Sequence, residues 1–598
     1  MSNFLLVVAE RRLRTRLESW LESRGADASE TGFVDLGERH ELLLVSAGLA
    51  TCLSGSLFFK GTAVSPAART IAFGIDAWKA LRERVEDDLE VGGEFVTATW
   101  DAREVTVWRD VFTNVPLLHT GGSGFAAASD SLLVLSDLRR HLGETVQPNP
   151  GVLLARTLMS AYAAQQLGVD TQVREVSFVP AGQGLTLRPG RDRRFRPVGW
   201  PIAERVVTAP PAGVAEMRAA VSFVAGAVAG LSELPGQQVE LLLSGGYDSR
   251  LILGGLLRTG AIEATAVRVL HSTPAHHDDF VAASRLAGRF GFAINPVTEP
   301  GDVERRELAT TPIGMWAAGQ LGVYDRLVPA GTSIVTPSVI QLSGLGAGTF
   351  KGGWNWQPLP VALRELKASR PVLDAFETQA VAGLRAAGAH PEWADASELY
   401  YLGYRNGLHS AGGHTGTKLT GIALLQQVGL AVVGHTRLDR TRHPCRHRQH
   451  ARFRGQCQPS ADLLALMHPD LACLPYDTPG RSLTRDDLAA RLARVGGPLT
   501  DSELKTAAVL GTPQHVPGGP SALALGVAEA FGYRIEPEPS DILRLARQGL
   551  DALDDPVLRG AYRTLCKKAS ESLVARGLPF NHAGYAPAKA LTAAMFAA

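Results

Sequence analysis

Cysteine is scarce in this sequence. Among 598 residues there are five, with no Cys-x-x-Cys pair: Cys52, Cys445, Cys457, Cys473 and Cys566. A sparse, odd-numbered set of this kind argues against a disulfide framework, a zinc ribbon and an iron–sulfur cluster. We therefore expect a reducing compartment, and the cytoplasm is the first choice.

The sequence also lacks an excess of charge of either sign. Its 60 Lys and Arg are balanced by 59 Asp and Glu, which gives a formal net charge of +1. A chain balanced in this way has no overall field that would attract a polyanion. We expect no nucleic-acid partner.

Long apolar runs are missing as well. The run Phe4–Ala9 is only six residues long, and Glu10, Arg11 and Arg12 follow it. A secretory h-region needs at least about seven apolar residues and a membrane helix about 20. The run therefore predicts a β-strand, and we expect no membrane span.

The first 145 residues have short β-like segments bounded by turn residues. The predicted strands cover 4–9, 41–46, 94–100, 105–108, 124–128 and 132–135, and the predicted helices cover 11–24 and 76–87. This pattern predicts an α+β unit with antiparallel sheets. The basic stretch Arg188–Pro201 is rich in Pro and Gly, which is typical of a surface connection. It places a domain boundary near residue 200.

Beyond residue 200, strands and helices alternate. The predicted helices cover 214–231, 248–258 and 278–290, and the predicted strands cover 239–243, 264–270 and 333–342. Alternation at this spacing predicts a parallel sheet with helices on both faces, and such sheets bind ligands beyond the carboxyl ends of their strands. From about residue 358 to 598 the pattern is mainly helical.

One segment points to chemistry. The apolar strand at 239–243 runs into Ser244-Gly245-Gly246-Tyr247-Asp248-Ser249, and a helix follows. Two glycines let backbone N–H groups approach an anion, and the helix adds its positive end. The segment lacks the patterns of a Walker A loop and of a dinucleotide-binding turn. The alternative is a turn whose Asp and Ser only cap the helix. Arg250, one turn into the helix, would either contact phosphate or lie in solvent.

The Ser-Gly-Gly-x-Asp-Ser motif resembles the signature of the N-type ATP pyrophosphatases, or PP-loop enzymes, which cleave ATP between its α- and β-phosphates. The resemblance implies that Ser244, Gly245, Gly246, Asp248 and Ser249 hold pyrophosphate. It also implies that Asp248 holds Mg²⁺.

Five further stretches, in the same order along the chain, resemble the asparagine synthetase class of that family. They are Gly93–Asp101, Arg109-Asp110 with Pro116-Leu117, Val179–Leu187, Asp278–Gly291 and Leu342–Trp354. The resemblance implies an Ntn-hydrolase-like, glutaminase-like sandwich over residues 1–200. It implies an α/β ATP pyrophosphatase domain over 201–598, with a helical extension from about 358. The implied adenine and ribose contacts are Leu243, Val269, Ser343 and Gly344.

The sequence departs from the class at its start. Glutamine-dependent members use an N-terminal Cys as the nucleophile, whereas Ser2 follows Met1 here. A hydroxyl is a far weaker nucleophile than a thiol at neutral pH. We expect a glutaminase-like domain without activity and an amine supplied by the substrate. β-Lactam synthetases, carbapenam synthetases and lasso-peptide cyclases have this plan.

A second departure concerns the acidic positions. Leu345 and Gly348 stand where the class has a Glu or Tyr and an Asp. Asp278 and Asp279 are the nearest carboxylates in sequence, and a structural role is favoured for both. For the late lysine of the class the candidates are Lys418, which we take as the catalytic residue beside Asp248, and Lys351. The alternative for each lysine is an ordinary surface position.

The segment 435–454 has seven arginines and one aspartate. It either meets a triphosphate, an acidic substrate or a peptide leader, or forms a solvated surface helix. The spacing of its neighbouring metal-ligand types matches no standard zinc site; these residues are His443, Cys445, His447, His450 and Cys457.

Together these features predict an ATP- and Mg²⁺-dependent, AMP-forming amide ligase without glutaminase activity. Its expected partners are a small-molecule or peptide substrate and a peptide leader or pathway protein. We expect it in the biosynthesis of a specialised metabolite or a modified peptide, including lasso-type macrolactams. A β-lactam synthetase or an ammonia-dependent amidotransferase is an alternative. A non-catalytic homologue that binds a ligand or a partner protein is an alternative from a different functional class.

Overall fold

The computed structural model describes residues 3–37, 39–85, 90–210, 213–269, 277–296, 306–307, 310–327, 334–413, 418–436, 459–478, 480–515, 519–576 and 585–597. The strands are β1 (Phe4–Glu10), β2 (Thr31–Asp35), β3 (His40–Ser46), β4 (Leu53–Ser54), β5 (Leu57–Ser65), β6 (Thr70–Phe73), β7 (Gly92–Trp100), β8 (Val105–Arg109), β9 (Leu118–Gly122), β10 (Phe125–Ser129), β11 (Ser177–Phe178), β12 (Gly184–Leu187), β13 (Arg196–Val198), β14 (Gln238–Leu242), β15 (Thr265–Arg268), β16 (Arg306–Glu307), β17 (Ile334–Ser343), β18 (Lys418–Ile422) and β19 (Ala508–Leu510).

The helices follow the same order along the chain. They are α1 (Arg14–Ser23), α2 (Leu49–Cys52), α3 (Gly74–Arg82), α4 (Leu132–His141), α5 (Pro150–Arg156), α6 (Ile202–Thr208), α7 (Val214–Ser232), α8 (Tyr247–Thr259), α9 (His277–Phe290), α10 (Pro312–Gln320), α11 (Gly348–Lys351), α12 (Leu359–Arg364), α13 (Arg370–Ala386), α14 (Ala396–Tyr404), α15 (Asn406–Gly413), α16 (Val428–Thr436), α17 (Pro459–Met467), α18 (Pro469–Cys473), α19 (Arg485–Val495), α20 (Ala522–Ala530), α21 (Pro539–Asp551), α22 (Pro556–Arg576) and α23 (Tyr585–Thr592).

Two largely antiparallel sheets form a sandwich in the first third of the chain. The first sheet has the order β11-β9-β10-β1-β3-β2 and the second β13-β12-β8-β7-β5-β6-β19. Side chains alternate along β1: Leu6 and Val8 pack between the two sheets, whereas Leu5 and Val7 pack against helices on the outer face. This period of two follows from the strand pleat. It gives layers of helix, sheet, sheet and helix.

The predicted strand over residues 132–135 is wrong, because these residues open the helix α4. The hydroxyl of Ser131 accepts a hydrogen bond from the N–H of Val134 and caps the helix. The apolar run Leu132–Leu135 is buried on all sides, so it has no amphipathic pattern that would distinguish a helix from a strand. The predicted strands at 4–9, 41–46, 94–100, 105–108 and 124–128 are confirmed within two residues at either end.

The third sheet is parallel and confirms the predicted alternation. Its parallel strands have the order β15-β14-β17-β18, and β16 pairs antiparallel with the start of β17. From β14 the chain passes through α8 to β15 on one side, whereas β17 lies on the other. The strand order therefore reverses between β14 and β17, and ligands bind at such crevices.

One described helix, α7, is long and apolar enough by composition to cross a membrane, but 72% of its most apolar window is buried inside the protein. Its side chains belong to the core around the third sheet, together with residues of α8 and α17. Burial on this scale identifies α7 as a core helix of this fold.

The boundary predicted near residue 200 falls between β13 and α6. Several contacts cross it. The strand β19 pairs in parallel with β6 and extends the second sheet, and α20 and α23 contribute to the core on the outer face of the first sheet. The late part of the chain thus packs against the early part.

Candidate functional site

The candidate site lies at the carboxyl end of β14, where the chain turns into α8. The N–H of Leu243 donates to the carbonyl of Arg268 at 2.8 Å, which continues the sheet by one residue. The hydroxyl of Ser249 accepts from the N–H of Ser244 and lies 3.0 Å from the Ser244 hydroxyl. These bonds close residues 244–249 into a tight loop.

The carboxylate of Asp279 is hydrogen-bonded to this loop. The N–H of Gly245 donates to the Asp279 carboxylate at 2.6 Å. Asp279 is in the first turn of α9, so the structural role that the sequence favoured for it is a direct contact with the predicted pyrophosphate loop. The contact shows that this N–H points toward a position that accepts negative charge.

Asp248 faces Lys351 across the crevice between β14 and β17. The Lys351 ammonium forms an ion pair with Asp248 Oδ2, whereas Asp248 Oδ1 is buried and has no hydrogen-bond partner among the described residues. The two elements approach so closely that a Cβ on Gly344 would lie 2.6 Å from the Asp248 Cβ. The structure therefore brings Gly344 and Lys351 to the predicted loop.

Arg250 has neither of its two expected positions. Its side chain is buried and donates to the carbonyls of Leu471 at 3.3 Å and Leu474 at 3.1 Å. Its guanidinium lies 3.7 Å from the centre of the Tyr476 ring, and burial lowers its pKa. Arg250 holds the 471–476 segment against the loop and is not directed to phosphate or to solvent.

The structure gives a physical reason for the glycine at position 348. A Cβ there would lie 2.7 Å from the ring and hydroxyl of Tyr401, so that ring occupies the space of an acidic side chain. Leu345 is half-buried, and its N–H donates to the hydroxyl of Ser343 at 3.3 Å. The chain offers no carboxylate at either position.

Glu398 supports the turn that follows α11. Its buried carboxylate accepts hydrogen bonds from the N–H groups of Gly353 at 2.7 Å, Trp354 and Trp356 at 3.3 Å. Burial raises the pKa of Glu398 to about 7 against the effect of these bonds. The contact fixes the backbone immediately after Lys351.

Of the remaining predicted site residues, three lie at the edge of the sheet where the loop is, and one does not. Leu243, Val269 and Ser343 lie at the carboxyl ends of β14, β15 and β17, and all three are at least 95% buried. Lys418 pairs with Thr336 at the amino end of β18, four residues or about 13 Å from the carboxyl end of the strand. The structure therefore places its backbone away from the loop.

The site residues fit a Mg²⁺ ion that shares its coordination with phosphate. Among the described residues there is no cluster of three or more metal-ligand side chains. Asp248 Oδ1 is nevertheless unpartnered, and Asp279 and Asp477 both lie next to Gly245. Mg²⁺ is usually held by one or two carboxylates together with substrate phosphates, which this arrangement allows.

Two predicted regions lie outside the described residues, wholly or in part. Ser2 is one of them, and the described chain starts at Asn3, whose amide donates to the buried Asp130 carboxylate at 3.2 Å. Most of the basic segment is another: residues 437–454 lie outside, as do His443, Cys445, His447, His450 and Cys457. Its first residue, His435, is buried with its Nδ1 3.0 Å from Asp395 Oδ2.

Sequence reasoning missed Tyr476 and Asp477 as neighbours of the loop and Tyr401 as the neighbour of Gly348. They come from helices and turns at least 150 residues after the loop, and no local motif marks them. A glycine where the class has an acid was the one available signal for Tyr401.

No protein-family model matches this chain, and no curated protein matches it.

Proposed function

We propose that this protein is an ATP- and Mg²⁺-dependent amide ligase that forms AMP and pyrophosphate. The observation that carries the proposal is the pairing of Asp248 with Lys351 across the crevice where the strand order reverses. Such a crevice, lined by loop N–H groups and the start of α8, suits a polyphosphate. We also propose that the protein acts in the cytoplasm.

The proposed reaction has two steps. A substrate carboxylate oxygen attacks the α-phosphorus of ATP, the bond to the bridging oxygen breaks, and pyrophosphate leaves. An amine nitrogen then attacks the acyl carbon, AMP leaves with the electrons of the acyl C–O bond, and the nitrogen loses a proton. Charge develops on pyrophosphate in the first step, and fixed donors at that place lower the barrier.

The chain's own residues supply those donors. The N–H groups at the start of α8, and that of Gly245 once Asp279 releases it, bind phosphate oxygens. Lys351 adds a mobile positive charge that moves from Asp248 to the phosphates. Asp248, released from Lys351, would then be able to hold Mg²⁺ with its carboxylate. Bound Mg²⁺ neutralises the pyrophosphate charge.

Within this activity we propose an amine that comes from the substrate, as in lasso-type macrolactam formation. β-Lactam synthesis and ammonia-dependent amidation are the alternatives within the same chemistry. A second candidate function is a non-catalytic binding protein. The Tyr401 ring at position 348 favours it, because that ring excludes a second acidic residue there.

Thermal unfolding tests the proposal without knowledge of the substrate. The wild type and Asp248→Ala are compared with and without Mg²⁺ and α,β-methylene ATP, and Asp554→Ala is an exposed acidic control. At 100 times Kd the ligand adds about 2.7 kcal/mol to the free energy of unfolding, so we expect a Mg²⁺-dependent rise in midpoint that only Asp248→Ala loses. The absence of a rise in the wild type would favour the binding protein.

A further inference from the structure

A large cleft lies far from the loop, at one end of the sandwich. Its volume is about 800 Å³, which is within the usual range for small-molecule sites. One wall is the turn between β9 and β10 with the end of β1, and the other is the segment 187–194 that leads out of β12. The sequence predicted only a surface connection there.

This cleft lies away from the start of the chain. It opens beside Glu10, at the carboxyl end of β1, whereas Asn3 precedes the amino end of that strand. Seven residues of strand span about 23 Å. The cleft is therefore not at the chain start, where the class resemblance would place a glutaminase nucleophile.

The wall is built by a close backbone contact. A Cβ on Gly121 would lie 2.2 Å from the carbonyl oxygen of Arg193 and 3.0 Å from the Arg194 side chain. Because glycine lacks that Cβ, the 187–194 segment lies directly on the β9–β10 turn. The arginines of the segment are thus held at the edge of the cavity.

The acidic residues of the lining already have partners in the fold. Glu144 accepts from the N–H of Ser123 at 2.6 Å, and Glu175 accepts from the N–H of Gln147 at 3.0 Å. Asp192 pairs with Arg196, and Glu10 pairs with Arg12 at 2.5 Å. Glu10 and Asp192 are therefore in ion pairs, Glu144 lies 3.9 Å from the Arg139 guanidinium, and Glu175 is held by its backbone hydrogen bond.

The lining cations divide into two kinds. Arg139 is buried and donates to the hydroxyl of Thr120 at 2.8 Å and to the carbonyl of Gly121 at 2.7 Å. Arg191, Arg193 and Arg194 have exposed side chains, with no hydrogen bond or ion pair to any described residue. Three guanidinium groups at the edge of the cavity therefore keep their donors free.

We propose that this cleft binds a small molecule with two or more oxyanion groups, held by Arg191, Arg193 and Arg194. Guanidinium groups pair with carboxylate and phosphate oxygens through two parallel N–H bonds. A cleft of this volume fits a small molecule better than an extended peptide. The proposal is independent of the amide ligase activity.

Calorimetric titration tests it with two probes, citrate for polycarboxylates and tripolyphosphate for phosphates. The proteins are the wild type, Arg193→Gln/Arg194→Gln and the control Arg84→Gln/Arg103→Gln, which removes two exposed arginines of the same unit. Each is also prepared with Lys351→Met, which weakens any binding of the probes at the loop. Circular dichroism checks folding, and Arg191→Glu provides a single exposed substitution if the double variant unfolds.

We expect saturable binding of at least one probe, weakened by about tenfold or more in Arg193→Gln/Arg194→Gln and in Arg191→Glu. The control should keep the wild-type affinity. The probe that binds identifies the carboxylate or phosphate source. Failure of both probes to bind the wild type, or equal loss in the control, would overturn the proposal.

Discussion

The ammonium group of Lys351 and the carboxylate of Asp248 form an ion pair that joins the end of α11 to the loop after β14. The Lys351 side chain is 40% exposed and that of Asp248 is 20% exposed. A pair this open contributes only about 0–1 kcal/mol to stability. Its effect is to hold two opposite charges at the crevice, where each is available to a ligand.

Lys351→Met should weaken binding of α,β-methylene ATP by about tenfold or more, because a charge-assisted contact to phosphate is lost. The unfolding midpoint without ligand should change little. Lys367→Met, at another exposed lysine, is the matched control. Equal affinities of all three proteins in a fluorescence or calorimetric titration would remove Lys351 from the site.

Asp279→Asn should strengthen binding of inorganic pyrophosphate when Mg²⁺ is absent. The Asp279 carboxylate now accepts the Gly245 N–H bond, and its negative charge repels the incoming phosphate. We expect a gain of several-fold by calorimetry. Asp278→Asn, at its exposed neighbour, should show a smaller change. Weaker pyrophosphate binding in Asp279→Asn would mean that this side chain holds the ligand rather than competing with it.

Gly348→Asp should destabilise the protein, because its Cβ would lie 2.7 Å from Tyr401. Overpacking of this kind costs about 1–3 kcal/mol. Removing the ring in Gly348→Asp/Tyr401→Ser should recover part of that loss, and denaturant unfolding of the two single variants and the double variant measures the coupling. Purely additive effects would show that the ring does not exclude the acid.

Because Glu398 is buried, it should make the free energy of unfolding fall as the pH rises. Burial raises its pKa to about 7, from about 4.3 in an unfolded chain. Between these values the folded protein binds more protons, so the free energy of unfolding falls as pH rises, by up to about 4 kcal/mol for this group. Above about pH 7 the loss is complete.

Glu398→Gln should show a flatter pH profile between about pH 4 and pH 7. Asp110 and Asp130, whose pKa values burial raises to about 6, contribute the same slope in both proteins. The difference between the two profiles therefore reports Glu398. Parallel profiles in urea unfolding at several pH values would contradict the raised pKa.

The sequence allowed the α/β alternation and the 244–249 turn to be predicted, because strand length, glycine and helix period are local signals. The strand predicted over residues 132–135 was wrong because a fully buried helix has no polar face. Arg250 and Tyr401 could not be placed, since their partners are distant in sequence. Lys351 was named only as one of two lysines, and the ion pair with Asp248 required the register of β14 against β17.

The strand β19 pairs with β6 across more than 430 residues of chain. During synthesis, the ribosome releases the first sandwich long before residues 508–510 emerge, and β6 is left with an unpaired edge. Such an edge attracts other chains, and contacts this far apart in sequence form slowly. We therefore expect nascent chains to be more prone to aggregation until residues 508–510 have emerged and paired with β6.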